Sequence, residues 1–139
     1  MRLMTISERA TDIEDEFAFL DDWEDRYAHI IDLGKANPPL EASERTEETK
    51  VRGCASQVWM VITPQSDDRL EIRAESDAMI VSGLISLLVR LFSGVERSEI
   101  RDFDADAFLE KIGVTGALSA QRSNGLASML ARIKQVAAS

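Results

Sequence analysis

The sequence predicts an α+β fold, a small antiparallel sheet of about three strands packed against several helices. Apolar residues recur at helical spacing up to residue 34 and again from residue 104 onward. Between these regions the period changes to two over residues 58–74, which is typical of a β-hairpin. An almost wholly apolar run, residues 78–92, follows and indicates a helix buried against the sheet. The length suits one domain with a single core, residues 1–139.

Two consecutive helices are predicted near the N-terminus, after a lead-in of residues 1–7. Thr11 and Glu14 have the spacing of a capping box, and the run Asp21–Glu24 offers a second cap. We expect the second helix to end near Gly34.

Acidic residues are concentrated in these two helices. Carboxylates are favoured near helix N-termini, so the simplest interpretation is a solvated face, with a docking role as the alternative. Pro38-Pro39 then forces an extended segment, and a polar loop over residues 40–50 follows, with a short strand expected near its end. The acids are Glu14, Asp15, Glu16, Asp21, Asp22, Glu24 and Asp25.

The hairpin and the apolar helix are expected to form the centre of the fold. Its first strand is predicted to end at Pro64, before the turn residues 65–68. Ser76 or Asp77 is expected to cap the helix, which Gly94 closes.

Within the apolar helix, Gly83 indicates close packing against a neighbour. A helical turn at residues 98–102 and a helix at 104–112 come next. The last helix begins at Ser119 and buries Leu126, Met129, Leu130 and Ile133 on one face.

Composition excludes several classes of partner. A formal net charge of −9 argues against nucleic acid and against anionic membrane surfaces. The run 78–92 is shorter than the roughly 20 residues of a bilayer span. One cysteine allows no internal disulfide, and the N-terminal residues lack the apolar run of a signal peptide. We therefore expect a cytoplasmic protein that contacts neither nucleic acid nor membrane.

That cysteine, Cys54, is the leading candidate for function. Gly53 lets the backbone turn sharply, so that the thiol can lie at a loop tip. Lys50 and Arg52 are expected to favour the thiolate, the nucleophilic form. The alternative is a small buried hydrophobic residue, the commoner role of a lone cysteine.

Most thiol chemistries are excluded by what the chain lacks. One cysteine and one histidine, His29, cannot supply four ligands to zinc or to an iron–sulfur cluster, and no CxxC motif is present. Two chemistries remain: transfer of a persulfide sulfur, which needs only a thiolate and an open path, and a cysteine hydrolase with His29 as base. We expect His29 to point to water, which disfavours the hydrolase.

Arg122 is the second candidate, because a cation in the first turn of a helix opposes the helix dipole. It lies four residues before Leu126 and so on the inward face. Either an internal carboxylate pairs with it, or it approaches the Cys54 loop together with the helix N-terminal amides and stabilises a thiolate or persulfide.

Three segments resemble the SufE/CsdE family of sulfur acceptors. They are Val51–Trp59, which contains Cys54, the segment Ser76–Ile85, and Leu118–Leu126, and they occur in the family's order over nearly the whole chain. The resemblance places these residues in and around the site loop: Lys50, Arg52, Gly53, Ser56, Gln57, Trp59 and Asp77.

This resemblance implies an α+β domain like that of the iron–sulfur scaffold NifU, and it implies a possible homodimer, since family members often form homodimers. Family members shelter the cysteine loop until a pyridoxal-phosphate-dependent desulfurase docks, then accept its persulfide sulfur at the position of Cys54. They stimulate the desulfurase, of the SufS or CsdA type, and pass the sulfur to a cluster-assembly scaffold. Pyridoxal phosphate belongs to the partner, so neither cofactor nor metal is expected here. The alternatives are a non-cluster destination for the sulfur, or a module that binds the desulfurase without carrying sulfur.

Overall fold

The computed structural model describes residues 4–54, 56–115 and 118–139. The expectation for the residues 1–3 of the lead-in falls outside these ranges, as does Ala55 in the cysteine loop. The described helices are α1 (Ile6–Phe17), α2 (Trp23–Lys35), α3 (Met79–Phe92), α4 (Arg97–Asp102), α5 (Ala105–Lys111) and α6 (Ala120–Ala138). The described strands are β1 (Val58–Gln65), β2 (Arg69–Ser76) and β3 (Val95–Glu96).

The sheet has the order β1-β2-β3 and is antiparallel throughout, which confirms the predicted α+β architecture. β1 and β2 form the predicted hairpin, with Val58 opposite Ser76. The prediction that Pro64 ends the first strand is wrong, because Pro64 lies within β1 opposite Leu70. β1 is an edge strand, where a proline costs no ladder hydrogen bond if its nitrogen faces away from the neighbour.

The N-terminal helix begins earlier than its sequence indicated. Thr5 forms the capping box with Glu8, while the hydroxyl of Thr11 donates to the carbonyl of Ser7 inside the helix. Both threonines have an acid three residues later, so the local motif is ambiguous. The buried stripe decides between them, because it already includes Ile6 and Ala10. The second cap is Asp22, within the predicted run Asp21–Glu24.

Helices α2 and α3 cross with their backbones in contact. A Cβ added to Gly83 would lie 2.0 Å from the carbonyl oxygen of Ile30, and one added to Gly34 would lie 2.6 Å from that of Met79. The close packing predicted for Gly83 is therefore confirmed. Gly34 is buried inside α2, one residue before its last, so it serves the crossing as well as marking the helix end.

α3 packs on β2 on one side and against α1, α2 and α6 on others, and nine of its residues are buried. Its N-cap is Ala78, and no side chain caps the helix there, so the expected cap at Ser76 or Asp77 is wrong. The amide of Ala78 does bond to the hydroxyl of Ser76, at 3.2 Å.

The C-terminal helices cap one another. Arg97 and Arg101 donate to the carbonyls of Val136 and Ala137 at the end of α6. Cations are favoured at helix C-termini, so these contacts fix α6, which carries part of the site, against α4. No helix in the described ranges is both long and apolar enough to span a membrane.

The α2–α3 crossing makes a direct prediction. We expect Gly83→Ala to lower the free energy of unfolding by about 3 kcal/mol, since its methyl group meets backbone rather than a movable side chain. Ser82→Ala, one position along and outside the crossing, should cost no more than about 1 kcal/mol. Urea unfolding of both variants measures the difference, and equal stabilities would contradict the crossing.

Candidate functional site

The Cys54 loop, residues 51–58, is closed at its base by backbone hydrogen bonds. The amide of Val51 donates to the carbonyl of Val58 at 2.8 Å, and that of Met60 donates to Thr49 at 2.8 Å. Lys50 and Trp59 form an antiparallel bridge just outside. This bridge corresponds to the short strand expected near the end of the polar loop.

Asp77 anchors the loop from the other side of the hairpin. Its carboxylate accepts from the amide of Gln57 at 3.1 Å, and its own amide donates to the carbonyl of Gln57 at 3.3 Å. The carboxylate expected to cap α3 therefore holds the last turn of the loop instead. Between these two anchors lies the tip, which carries the thiol.

The loop tip packs against one face of α6. Gly53 has φ +89, a conformation that favours glycine, and an added Cβ would lie 2.6 Å from the hydroxyl of Ser128. The thiol of Cys54 donates to the carbonyl of Gly125 at 3.6 Å. One turn beyond Ser128, Arg132 donates to the carbonyl of Lys50 at 2.9 Å.

These contacts define a platform on α6, made of Gly125, Ser128 and Arg132. Their spacing of three and four residues places them on one face of the helix. The two small residues let the loop lie close to the helix, and the arginine holds its base. The platform therefore fixes where the thiol lies.

Beside the thiol is a cavity of about 20 Å³ between the loop, α3 and α6. A cavity needs roughly 10–15 Å³ by the same measure to hold a water molecule, so the space suits a group of about that size. Apolar side chains from the two helices form much of its wall. The lining residues are Cys54, Ser56, Val81, Leu84, Gln121, Arg122, Gly125, Leu126 and Met129.

The thiol is half-buried, and burial raises the pKa of Cys54 above its ordinary value. The prediction that neighbouring cations favour the thiolate is therefore wrong for this conformation. Arg52 points away into an ion pair with Glu47 at 2.8 Å, and the Arg52 side chain is 72% exposed. Its charge is directed to solvent and to a carboxylate, so desolvation dominates at the sulfur.

Arg122 does lie in the wall of the thiol cavity, as expected if it approaches the Cys54 loop. Its guanidinium donates to the phenolic oxygen of Tyr27 at 3.0 Å, a neutral group on α2. Among the residues that the structure describes, the inward arginine thus neither pairs with the expected internal carboxylate nor bonds to the thiol. Its role toward a bound anion stays a prediction.

His29 belongs to a structural network and does not line the cavity. Its Nε2 lies 2.6 Å from the carboxylate of Glu16, which also accepts from Arg90 at 2.6 Å. Its ring packs edge-on against Phe17, with centroids 5.1 Å apart. The side chain is 26% exposed, so the expectation that it points to water is wrong. Nothing in the geometry supports it as a base for Cys54.

The site residues that were not singled out from the sequence include Tyr27, Gln121, Gly125, Ser128 and Arg132. Gly125 and Ser128 could have been identified from the sequence, because they are two small residues three positions apart on a long predicted helix. Tyr27 followed the apolar spacing of α2 and gave no sign that its hydroxyl meets Arg122. No group of three or more metal-binding side chains occurs within residues 4–54, 56–115 and 118–139.

Comparisons with known proteins agree on the family. Residues 11–137 match the model of SufE, the iron–sulfur metabolism associated domain. A SufE-like protein of Rhizobium etli is 49% identical over 128 residues, which are 90% of this chain and 86% of the relative. One of Rhizobium meliloti is 50% identical over 128 residues, 90% of this chain and 91% of the relative.

A solved structure shares the fold. The solution structure of a hypothetical protein from Thermus thermophilus superposes with a TM-score of 0.75 at 16% identity, covering 94% of this chain and 93% of that one. At this identity the likeness concerns the fold alone. From the family model and the rhizobial relatives, the chain belongs to the SufE family, with a role in sulfur transfer associated with cysteine desulfurases.

Proposed function

We propose that this protein accepts a persulfide sulfur on Cys54 from a pyridoxal-phosphate-dependent cysteine desulfurase, stimulates that enzyme, and passes the sulfur on for iron–sulfur cluster assembly. The observation that carries the proposal is the thiol itself. The chain's one cysteine lies on an anchored loop, beside a cavity large enough for one small group. Family membership supplies the sulfur chemistry.

The loading step exchanges one sulfur–sulfur bond for another. The thiolate of Cys54 attacks the outer sulfur of the donor's cysteine persulfide. A new bond forms between Sγ of Cys54 and that sulfur, the donor's sulfur–sulfur bond breaks, and the donor cysteine leaves as a thiolate. The transferred sulfur keeps its oxidation state and its proton as one sulfur–sulfur bond replaces another, so no external oxidant or reductant is consumed.

The resting geometry favours storage over attack. Burial holds the thiol neutral, and its proton is directed at the carbonyl of Gly125. The apolar walls limit the access of small thiols, which would otherwise remove the sulfur. Loading therefore requires the loop tip to leave the platform, and the Asp77–Gln57 contact is the side-chain anchor that must yield.

We propose that Arg122 stabilises the thiolate or persulfide of Cys54 once the loop opens. Its hydrogen bond to Tyr27 is to a neutral group, so the guanidinium can turn to a thiolate or persulfide without leaving a carboxylate unpaired. The single free cysteine suits a reducing compartment, and we place the protein in the cytoplasm on that ground.

Removing the thiol tests the carrier role. Cys54→Ser should fold as the wild type and neither gain the mass of one sulfur atom after incubation with a desulfurase and cysteine nor stimulate the enzyme. Intact-mass spectrometry and sulfide release measure the two effects. Ser123→Ala, on α6 outside the cavity, is the control and should load normally. Full stimulation by Cys54→Ser would show a binding module that carries no sulfur.

The Asp77 anchor predicts a pH effect. Because burial raises the pKa of Cys54, alkylation by iodoacetamide should have its inflection at higher pH in the folded protein than in urea. Asp77→Ala removes the acceptor for the Gln57 amide, so its inflection should move toward the unfolded value. Asp77→Asn retains an acceptor oxygen and is the matched control. Identical profiles for the alanine variant and the wild type would contradict the anchoring role.

Arg122 gives a third test. Arg122→Ala should slow sulfur loading about tenfold, by the loss of one cation near the attacking thiolate. Tyr27→Phe releases the arginine from its neutral partner and should leave loading equal or faster. The two variants affect the same hydrogen bond, so equal slowing in both would indicate a structural role only. Single-turnover loading followed by mass spectrometry distinguishes these outcomes.

A further inference from the structure

Two exposed aromatic side chains lie four positions apart in the chain, at the connection between α1 and α2. Phe19 is 85% exposed and Trp23, the first residue of α2, is 56% exposed. Among the described residues only two other large apolar side chains, Met4 and Met79, are exposed. Two of the four exposed large apolar side chains in the described residues therefore lie within residues 19–23. Adjacent apolar groups of this kind on a surface indicate an interaction site.

The aromatic pair has an acidic rim. Asp21, Asp22, Glu24 and Asp25 surround it in the chain, and all four are exposed. Asp22 caps α2, and the side chains of the other three take part in no ion pair among the described residues. We call this surface, Phe19 and Trp23 with these four acids, the Trp23 patch. Its two aromatic side chains offer apolar contact surface, and the four carboxylates beside them in the chain carry negative charge.

The Trp23 patch is connected to the thiol cavity by direct contacts. The ring of Trp23 packs edge-on against Tyr27, with centroids 6.3 Å apart. Tyr27 in turn accepts from Arg122 at 3.0 Å, and Arg122 lines the cavity beside Cys54. Three side chains thus join an exposed surface to the cation that lines the cavity beside Cys54. A partner that contacts Trp23 would therefore touch the residue that packs against Tyr27, the hydrogen-bond acceptor of Arg122.

We infer that the Trp23 patch is the docking surface for the sulfur donor, through a face of that enzyme on which lysines or arginines surround an apolar recess. This inference rests on the proposed function. The acidic rim selects a basic face, and the exposed rings supply the buried anchors that dominate interface affinity.

The chemistry favours the donor over the downstream acceptor. Cys54 is the nucleophile only during loading, when its thiol must become a thiolate. During unloading the nucleophile belongs to the acceptor. A surface joined to Arg122 through Tyr27 can influence where this cation lies beside Cys54, and that matters in the loading step. The contact chain therefore assigns the surface to the enzyme that loads Cys54.

The test is a titration of the full-length protein against a purified cysteine desulfurase of the same organism. Kd is measured by calorimetry and KM by stimulation of sulfide release. Phe19→Ser and Trp23→Ala should each raise Kd and KM about tenfold, the effect of losing one aromatic anchor. Trp23→Phe keeps a ring on Tyr27 and should stay within about threefold of the wild type. Glu24→Lys should weaken binding most at low salt, where exposed charges are least screened.

Controls lie elsewhere on the surface. Met4→Ser removes another exposed apolar group, and Glu110→Lys reverses an exposed charge on α5; both should bind as the wild type. Circular dichroism establishes that every variant is folded. Unchanged Kd and KM in Phe19→Ser and Trp23→Ala would overturn the inference. It would be overturned equally if those variants impaired only transfer to the acceptor, or only self-association of this chain.

The two levels of proposal fail differently. If the wild type gains no sulfur from the desulfurase, the proposed function fails and the docking surface with it. If the wild type is loaded and the patch variants bind and load as it does, the docking surface alone fails.

Discussion

The backbone contact between α2 and α3 is the constraint on which the site depends. Gly83 and Gly34 bring the two helices so close that no side chain at either position could be accommodated. Contact between backbones leaves little that can relax, so the angle and register of the helices are fixed. α2 carries Tyr27, while α3 carries Val81 and Leu84 of the cavity wall. The α2–α3 contact therefore fixes the α3 wall of the cavity and the tyrosine that holds Arg122, while α6 and the loop supply the rest of the lining.

The cysteine loop, by contrast, is held by few interactions, and they are placed at its edges. Backbone pairing closes the base, Asp77 holds the Gln57 end, and the tip rests on Gly125 and Ser128 of α6. Such a loop has a defined position, and its tip can open without disturbing the core, because only the two residues at its base, Val51 and Val58, belong to the buried apolar cluster. A carrier that receives and releases cargo needs both properties.

The sequence predicted the elements whose signals are periodic and misjudged those that depend on distant residues. α3, α6 and the hairpin follow from apolar spacing, and Gly83 from its place in an apolar helix. Thr11 was mistaken for the first cap because Thr5 offers the same local motif and only burial distinguishes them. Proximity in sequence also suggested that Arg52 acts on the thiol, whereas the cation that reaches the cavity, Arg122, comes from 68 positions away in the chain (122 − 54 = 68).

Within the described part of the chain no cation bonds to the resting thiol, which is consistent with the proposed carrier role. A thiol with a permanently lowered pKa would react with oxidants and small disulfides in solution, whereas a neutral, half-buried one is protected. Arg122 is held nearby by the phenol of Tyr27. Had its partner been a half-buried carboxylate, freeing the arginine would strand a charge at a cost of several kcal/mol. A phenol can instead hydrogen-bond to water, so breaking its hydrogen bond to Arg122 costs little free energy when a partner binds.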